Sequence, residues 1–333
     1  MKLPQPRGPL SGLVIDTLRT APPGSETPLP VDTEALASDD LHLALYLCYE
    51  LHYTSIDGVD PRWEWDPALI TIRAHLESAF EDALRNHVSH GEGTAVDVID
   101  GVLNAIAEEE GRSLSTFIEH EATVEQVREF VTHRSAYQLK EADPHTWVIP
   151  RIRTPTKAAL VEIQSDEYGG GRGDRVHSVL FAKAMTALGL DPSYGAYVDR
   201  IPGITLATVN LVSMFGLHRR LRGAAIGHLA TFETTSSEPN GRYARGLRRL
   251  GFDGDATDFF DEHVEADSVH EVIAIHDLVG GFVRDEPDCA ADILWGARCL
   301  LALERAWADH LLSHWDTGAS SLLYDEAVPS QPL

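Results

Sequence analysis

Only three cysteines occur among 333 residues, Cys48, Cys289 and Cys299, and no two of them form a C-x-x-C pair. That excludes a disulfide framework, a structural zinc ribbon and a thioredoxin-type centre. Long apolar runs are also missing. The nearest, residues 204–217, is interrupted by Thr205, Thr208, Asn210 and Ser213 and ends at His218-Arg219-Arg220. It falls short of the ~20 residues that a membrane span needs and reads as a buried helix. Positive charge is scarce, with 27 Lys and Arg against 52 Asp and Glu and a net charge of -25. Such a surface repels phosphate backbones and anionic membranes, so neither nucleic acid nor a membrane is an expected partner. The opening MKLPQPRGPL has no apolar core after its basic residues. A secretory signal is therefore not expected, and the cytoplasm is the natural compartment.

Two reaction classes lack their motifs. Gly169-Gly170-Gly171 is not followed by Lys-Ser/Thr, as a phosphate-binding loop would be, and no Gly-x-Ser-x-Gly elbow appears. Alternating polar and apolar runs are few and no fixed-period repeat is present, which argues against strands and solenoids. What remains is a globular composition, 43% hydrophobic and 24% charged, patterned almost throughout at helical spacing. Seven of the 18 prolines fall within residues 1–35, which read as an extended leader. Asp39 and Asp40 are positioned to cap the helix that follows them, and Asp66-Pro67 opens another over 66–85. Further helices are expected at 95–110, 123–139, 156–167, 176–188, 204–217, 223–235, 243–250, 258–279 and 288–315. The fold class is all-α, a bundle of seven or more helices. Its expected divisions are the leader 1–35, an N-terminal helical extension 36–110, a core 111–325 and a tail 326–333.

The candidate chemistry lies in carboxylates and histidines at helical spacing. His263, Asp267 and His270 stand at i, i+4 and i+7 in EHVEADSVHE, within one narrow stripe of a helix, so all three can point at one spot. Apolar neighbours Phe259, Phe260, Val264 and Ile273 turn that stripe inward. Two buried imidazoles and a carboxylate need partners, and a metal ion is the usual resolution. VEIQSDEYGGGRGDRVH adds Glu162, Asp166, Glu167, Asp174 and His177, and Asp174-x-x-His177 mirrors Asp267-x-x-His270. The triple glycine is a poor helix interior and reads as a break, or as a close backbone approach. Glu233 sits on an otherwise apolar helix, and Glu141 opens EADPHTW beside another histidine. Carboxylate oxygen with imidazole nitrogen and no thiolate suits Fe(II) or Mn(II) better than structural zinc.

The order Glu, Glu-x9-His, Glu, His-x3-Asp-x2-His resembles the ligand pattern of heme-oxygenase-like diiron oxidases and oxygenases, here Glu141, Glu167, His177, Glu233, His263, Asp267 and His270. RIRTPTKAALVEIQSDEYGGGR and SMFGLHRRLRGAAIGHLATFETTSS are similar to the actinobacterial branch known as iron-containing redox enzymes. The resemblance implies a heme-oxygenase-like bundle without heme over 111–325, holding two iron ions that activate O2, supplied by an external electron donor. It implies Glu167 as the bridging, catalytic carboxylate, although helical periodicity alone would favour Asp174. Glu141, His177 and His270 would complete one iron, and Glu233, His263 and Asp267 the other. The implied activity is O2-dependent oxidation of a small metabolite, foremost N-oxygenation of an amine or amino-acid-derived substrate. Desaturation, decarboxylating C–C cleavage and a metal-free enzyme of the same architecture are the alternatives. Residues 1–110 exceed the minimal core and would serve as a lid, a homodimer surface or a substrate-access element.

Other clusters carry less. His310 and His314 lie i, i+4 on the last helix but lack the following Glu of a zinc protease, and His87 and His90 fall in a Gly-flanked loop. Arg219, Arg220, Arg222, Arg242, Arg245, Arg248 and Arg249 are expected to ion-pair within the acidic chain. Trp63, Trp65 and Tyr53 read as packing residues, and Cys48 lacks the charged helix-start setting of a nucleophile.

Overall fold

The computed structural model describes residues 1–22, 34–89 and 96–323, apart from the side chains of Asp267 and Ser268. Every regular element among the described residues is a helix, so the all-α expectation holds. The leader departs from expectation: α1 (Pro9–Leu18) buries Leu10, Val14, Ile15 and Leu18 against the body. Its cap comes from a distant residue, the Asp40 carboxylate, which accepts from the backbone of Leu10 (2.9 Å) and Ser11 (2.8 Å) and from the Ser11 hydroxyl. Asp40 is thus not the cap of its own helix α2 (Asp39–Glu50). Ser38 caps that helix by accepting from the Leu41 N–H, and Asp39 turns to the Gly203 amide.

Next come α3 (Pro67–His87), capped by Asp66 as expected, and α4 (Val98–Ala107). The short α5 (Leu114–His120) was not legible in the periodicity. A reciprocal capping box between Thr123 and Gln126 opens α6 (Val124–Gln138), and one short turn, α7 (Asp143–Thr146), follows. The central part comprises α8 (Thr156–Glu167), α9 (His177–Ala187) and α10 (Gly203–Leu217), the last buried on nearly every side. Among the described residues no helix is long and apolar enough to cross a membrane.

Where two helices were expected, 223–235 and 243–250, one continuous α11 (Arg222–Arg249) runs straight through Pro239. The proline removes the bond to the Thr235 carbonyl, but α11 is clamped by α5, α12 (Asp258–Val272) and α14 (Ala290–Asp316), so packing outweighs the break. After α12 the chain widens into a π-helical stretch, Ile273–Val279, before α13 (Gly280–Asp285). At the α11–α14 crossing each helix places a glycine against the other's backbone. A Cβ on Gly227 would strike the Ile293 carbonyl, and one on Gly296 the Ala224 carbonyl. One hydrophobic core joins residues on both sides of position 110, so packing has no break there.

Several histidines are buried as neutral packing groups. His42 and His145 have their pKa lowered to about 4 and about 3, chiefly by burial, and burial holds His133 and His228 well below the ordinary range. In the unfolded chain these groups titrate near 6.5, so below that pH the unfolded state binds more protons and stability falls as pH falls. Each histidine contributes a slope of up to about 1.4 kcal/mol per pH unit. Urea midpoints of the metal-free protein should therefore drop steadily from pH 7 to pH 5. A midpoint unchanged over that range would show that these imidazoles are not held neutral.

Candidate metal centre

Six side chains from five segments converge in the bundle interior. Glu141 lies in the turn between α6 and α7, Glu167 ends α8, His177 opens α9, Glu233 projects from α11, and His263 and His270 from α12. All six are at most 6% exposed. Glu167 and His177 meet because the chain reverses at the triple glycine. Gly169 has φ +75°, and a Cβ there would sit 2.8 Å from the backbone of Arg175 and Val176. Only glycine combines that left-handed turn with so close an approach. The break inferred from the sequence therefore brings a carboxylate and an imidazole ten residues apart in sequence to 2.8 Å.

Two groups of donor atoms result, each spanning no more than 4.8 Å: Glu141, Glu167, His177 and His263 in one, and Glu167, Glu233 and His270 in the other. Glu167 belongs to both. In the first, the His177 Nδ1 faces Glu167 Oε2 at 2.8 Å and Glu141 Oε2 at 3.9 Å, and His263 Nε2 lies 3.5 Å from Glu141 Oε1. His263 Nδ1 contacts the Phe259 carbonyl one turn back at 2.7 Å, which requires the proton on Nδ1 and leaves the Nε2 lone pair facing the cluster. In the second, His270 is held between Glu233 Oε2 (3.3 Å, from Nδ1) and Asp166 Oδ2 (3.1 Å, from Nε2).

This grouping corrects one expectation. The two α12 histidines are exchanged relative to the expected sets: His263 joins Glu141 and His177, and His270 joins Glu233. Seven helical residues rise about 10.5 Å, so the stripe presents its histidines to two spots rather than one. Asp267 lies between them in sequence, and its side chain is outside the described residues. Of the two carboxylates that spacing left open, Glu167 lies in the buried cluster, whereas Asp174 is exposed on a short turn.

Electrostatics favours a cation. Glu167 sits at the carboxyl end of α8, where the helix dipole opposes negative charge. His177 sits at the amino end of α9. Burial pushes the Glu233 carboxyl up, and Glu167 adds like charge. For His270 burial acts downward, but Glu233 and Asp166 override it and raise the imidazolium to about 9. The Glu141 Oε2 has no hydrogen-bond partner among the described residues. Three buried carboxylates facing three imidazoles, with no Lys or Arg in either group, form a set that a divalent ion would neutralise. Donors about 2.1 Å from a common ion lie within about 4.2 Å of one another, so only small shifts would close the set on iron.

Signals missed in the sequence lie around this centre. His145 and His228 contact each other at 3.2 Å just behind it, and Tyr137 is buried with its phenol pushed up, first by burial and then by Glu141, Glu167 and Glu233. Asp166, with no role assigned from spacing, is the carboxylate on His270. The other clusters behave structurally. His310 and His314 bond to backbone carbonyls of Ser321 and His310, Arg220 pairs with Glu81, Arg222 with Glu286, and Arg245 with Glu119. Trp63 is buried, whereas Trp65 is 64% exposed, and burial pushes the Cys48 thiol up to about 12. His87 contacts the Ala83 carbonyl, and His90 lies outside the described residues.

The sequence profile of a heme-oxygenase-like family described as iron-containing redox enzyme matches residues 128–305, a span that contains all six cluster residues. The chain is also similar to a nitrosourea synthase of Streptomyces achromogenes subsp. streptozoticus, 25% identical over 150 residues. That match covers 45% of this chain and 32% of the relative, so the chain spans about a third of the relative's length.

If the carboxylates are held together against their repulsion, relieving one should stabilise the metal-free protein. Glu141→Gln is expected to raise its melting temperature by about 2–4 °C, equivalent to roughly 1 kcal/mol. A lowered melting temperature would show that Glu141 is already satisfied without a cation.

Proposed function

The chain belongs to the family of iron-containing redox enzymes, and from that premise we propose that it is an oxidoreductase that uses two iron ions and O2 to oxidise a nitrogen of a small amine or amino-acid-derived metabolite. The observation that carries this reading is the shared carboxylate: Glu167 is common to two buried donor groups. Glu141, His177 and His263 would hold one iron, Glu233 and His270 the other, and Glu167 would be shared between them; Asp267 is assigned to the second group by the family resemblance. When bound, the irons supply the redox equivalents that activate O2, drawn from an external reductant. The similarity to a nitrosourea synthase supports nitrogen as the oxidised atom.

The protein's own groups perform the remaining tasks. The carboxylates offset the ions' charge inside a dry bundle, where uncompensated charge would be costly. His263 is oriented by the Phe259 carbonyl and His270 by Asp166, partners that hold each imidazole ring in a fixed direction. Phe181, Phe232 and Phe259 wall the approach to Glu141 and restrict water at the site where the oxidant would be used.

Anaerobic Fe(II) titration of the metal-free protein, followed by mixing with O2, tests this. The wild type should take up two irons per chain and consume O2 in an iron-dependent manner. Glu167→Ala should lose tight binding of both ions, and His270→Ala should retain one. Asp166→Ala should weaken uptake by about 10–100-fold. Absence of iron uptake, or iron uptake unaffected by Glu167→Ala, would overturn the proposal. The oxidation state of nitrogen in the product separates N-oxygenation from desaturation or C–C cleavage.

A further inference from the structure

In a chain with 52 acidic and 27 basic side chains, a guanidinium without a carboxylate partner is unexpected. Arg151, Arg153 and Arg219 make no ion pair among the described residues, whereas the neighbouring Arg220 and Arg222 pair with Glu81 and Glu286. The three lie together near the amino end of α11. Arg219 donates to the Arg151 carbonyl at 3.2 Å, and burial together with the Arg219 charge holds the Arg151 guanidinium below its ordinary value. The Glu286 carboxyl is kept low first by its bonded partner Arg222, and then by the charges of Arg219 and Arg153. Arg153 and Arg219 are exposed.

An exposed indole adjoins this cationic face. The Trp65 ring lies 4.9 Å from His52, and His52 lies 6.3 Å from Trp147. Trp147 in turn rests against Gly216, where an added Cβ would come within 3.7 Å of it, and Arg151 donates to the Gly216 carbonyl. Trp and Arg are the side chains most enriched at the centres of protein interfaces. The same stretch of chain leads inward. Residues 141–153 run from Glu141 through His145, which borders the small space shared by Glu141, Glu167 and Glu233, to Trp147 and then to Arg151 and Arg153. A cavity of about 320 Å³ opens beside Glu141 along the later part of α11, at Thr235–Tyr243. A protein seated at the amino end of α11 would leave it uncovered.

We propose that the face formed by Arg151, Arg153, Arg219 and Trp65 docks a small acidic electron-transfer protein, the external reductant of the centre. Charge complementarity selects that partner. An acidic carrier is repelled by most of a surface of net charge -25, so unpaired guanidiniums gathered on one face direct it there and fix its orientation. Each docked carrier gives up one electron and leaves oxidised, so two dockings supply the electron pair asked of an external reductant. The segment from Arg153 back to Glu141 joins the docking face to the centre. This assignment rests on the reading of the centre as an iron site.

Calorimetric titration of the metal-free full chain with an oxidised plant-type [2Fe–2S] ferredoxin tests the docking without any turnover. The wild type should bind at low ionic strength and lose affinity as salt is added. Arg153→Glu and Arg219→Glu, made singly, should each weaken binding about fivefold or more. On the iron-loaded protein they should slow reduction by reduced ferredoxin to a similar extent, with Fe(II) uptake and reduction by dithionite at the wild-type level. Arg245→Glu, the same charge change toward the other end of α11, should bind ferredoxin as the wild type does. No ferredoxin binding, unchanged affinity in Arg153→Glu and Arg219→Glu, or an equal loss in Arg245→Glu would each overturn the assignment. Iron uptake on the same samples separates the two readings: iron without ferredoxin binding sinks this one, and ferredoxin binding without iron sinks the metal centre.

Discussion

Three glutamates share a dry helical interior, and the arrangement around them follows from that charge. Glu141, Glu167 and Glu233 come from three different segments, and in neither donor group does a Lys or Arg join them. Histidine is the compensating partner instead. Each imidazole is brought in by a helix, and the rings at positions 263 and 270 are steered by a carbonyl and a carboxylate, respectively. A hydrophobic core of the same volume would be easier to stabilise, so the concentration of carboxylates carries a cost that a bound cation would offset.

Holding mutually repelling groups within a few ångströms requires a stiff frame. The frame is the close crossing of α11 and α14, where Gly227 and Gly296 let each backbone lie against the other, and the packing of α12 along α11. The N-terminal part contributes to the same frame. Glu50 of α2 is fully buried and accepts from the Lys140 ammonium and, at 2.6 Å, from the Tyr194 hydroxyl. Lys140 immediately precedes Glu141, so a residue outside the family match pins the turn that presents one of the donors. The π-helical stretch after His270 then lets the chain leave the centre with a different side-chain phase.

Most helices were legible because their signals are local. Apolar spacing located α3, α6 and α8, and Asp66-Pro67 and Thr123 marked two of the starts. The failures share one cause, which is tertiary partners overriding local signals. Asp40 looked like the cap of its own helix and instead caps α1, a helix that the proline content of the leader did not suggest. Helices were expected at 223–235 and 243–250, yet surrounding packing carries α11 through Pro239 between them. At the centre, the resemblance carried by the motifs singled out Glu141, Glu167, His177, Glu233, His263 and His270, all of which the fold brings together. Asp166 carried no assigned role because its partner, His270, lies 104 residues away in sequence.

The sequence by itself determined the all-helical class and the exclusion of thiol chemistry, which depend on composition and on a period of 3.6 residues, while the set of carboxylates and histidines came from the resemblance of its motifs to a family pattern. Only the tertiary structure decided which histidine stands with which glutamate, since the rise of α12 separates two rings that a helical projection superimposes. It alone decided that Glu167 rather than Asp174 turns inward, because the reversal at Gly169 sets which carboxylate faces His177. It also placed a cavity against Glu141, a feature assembled from several helices that no one of them encodes.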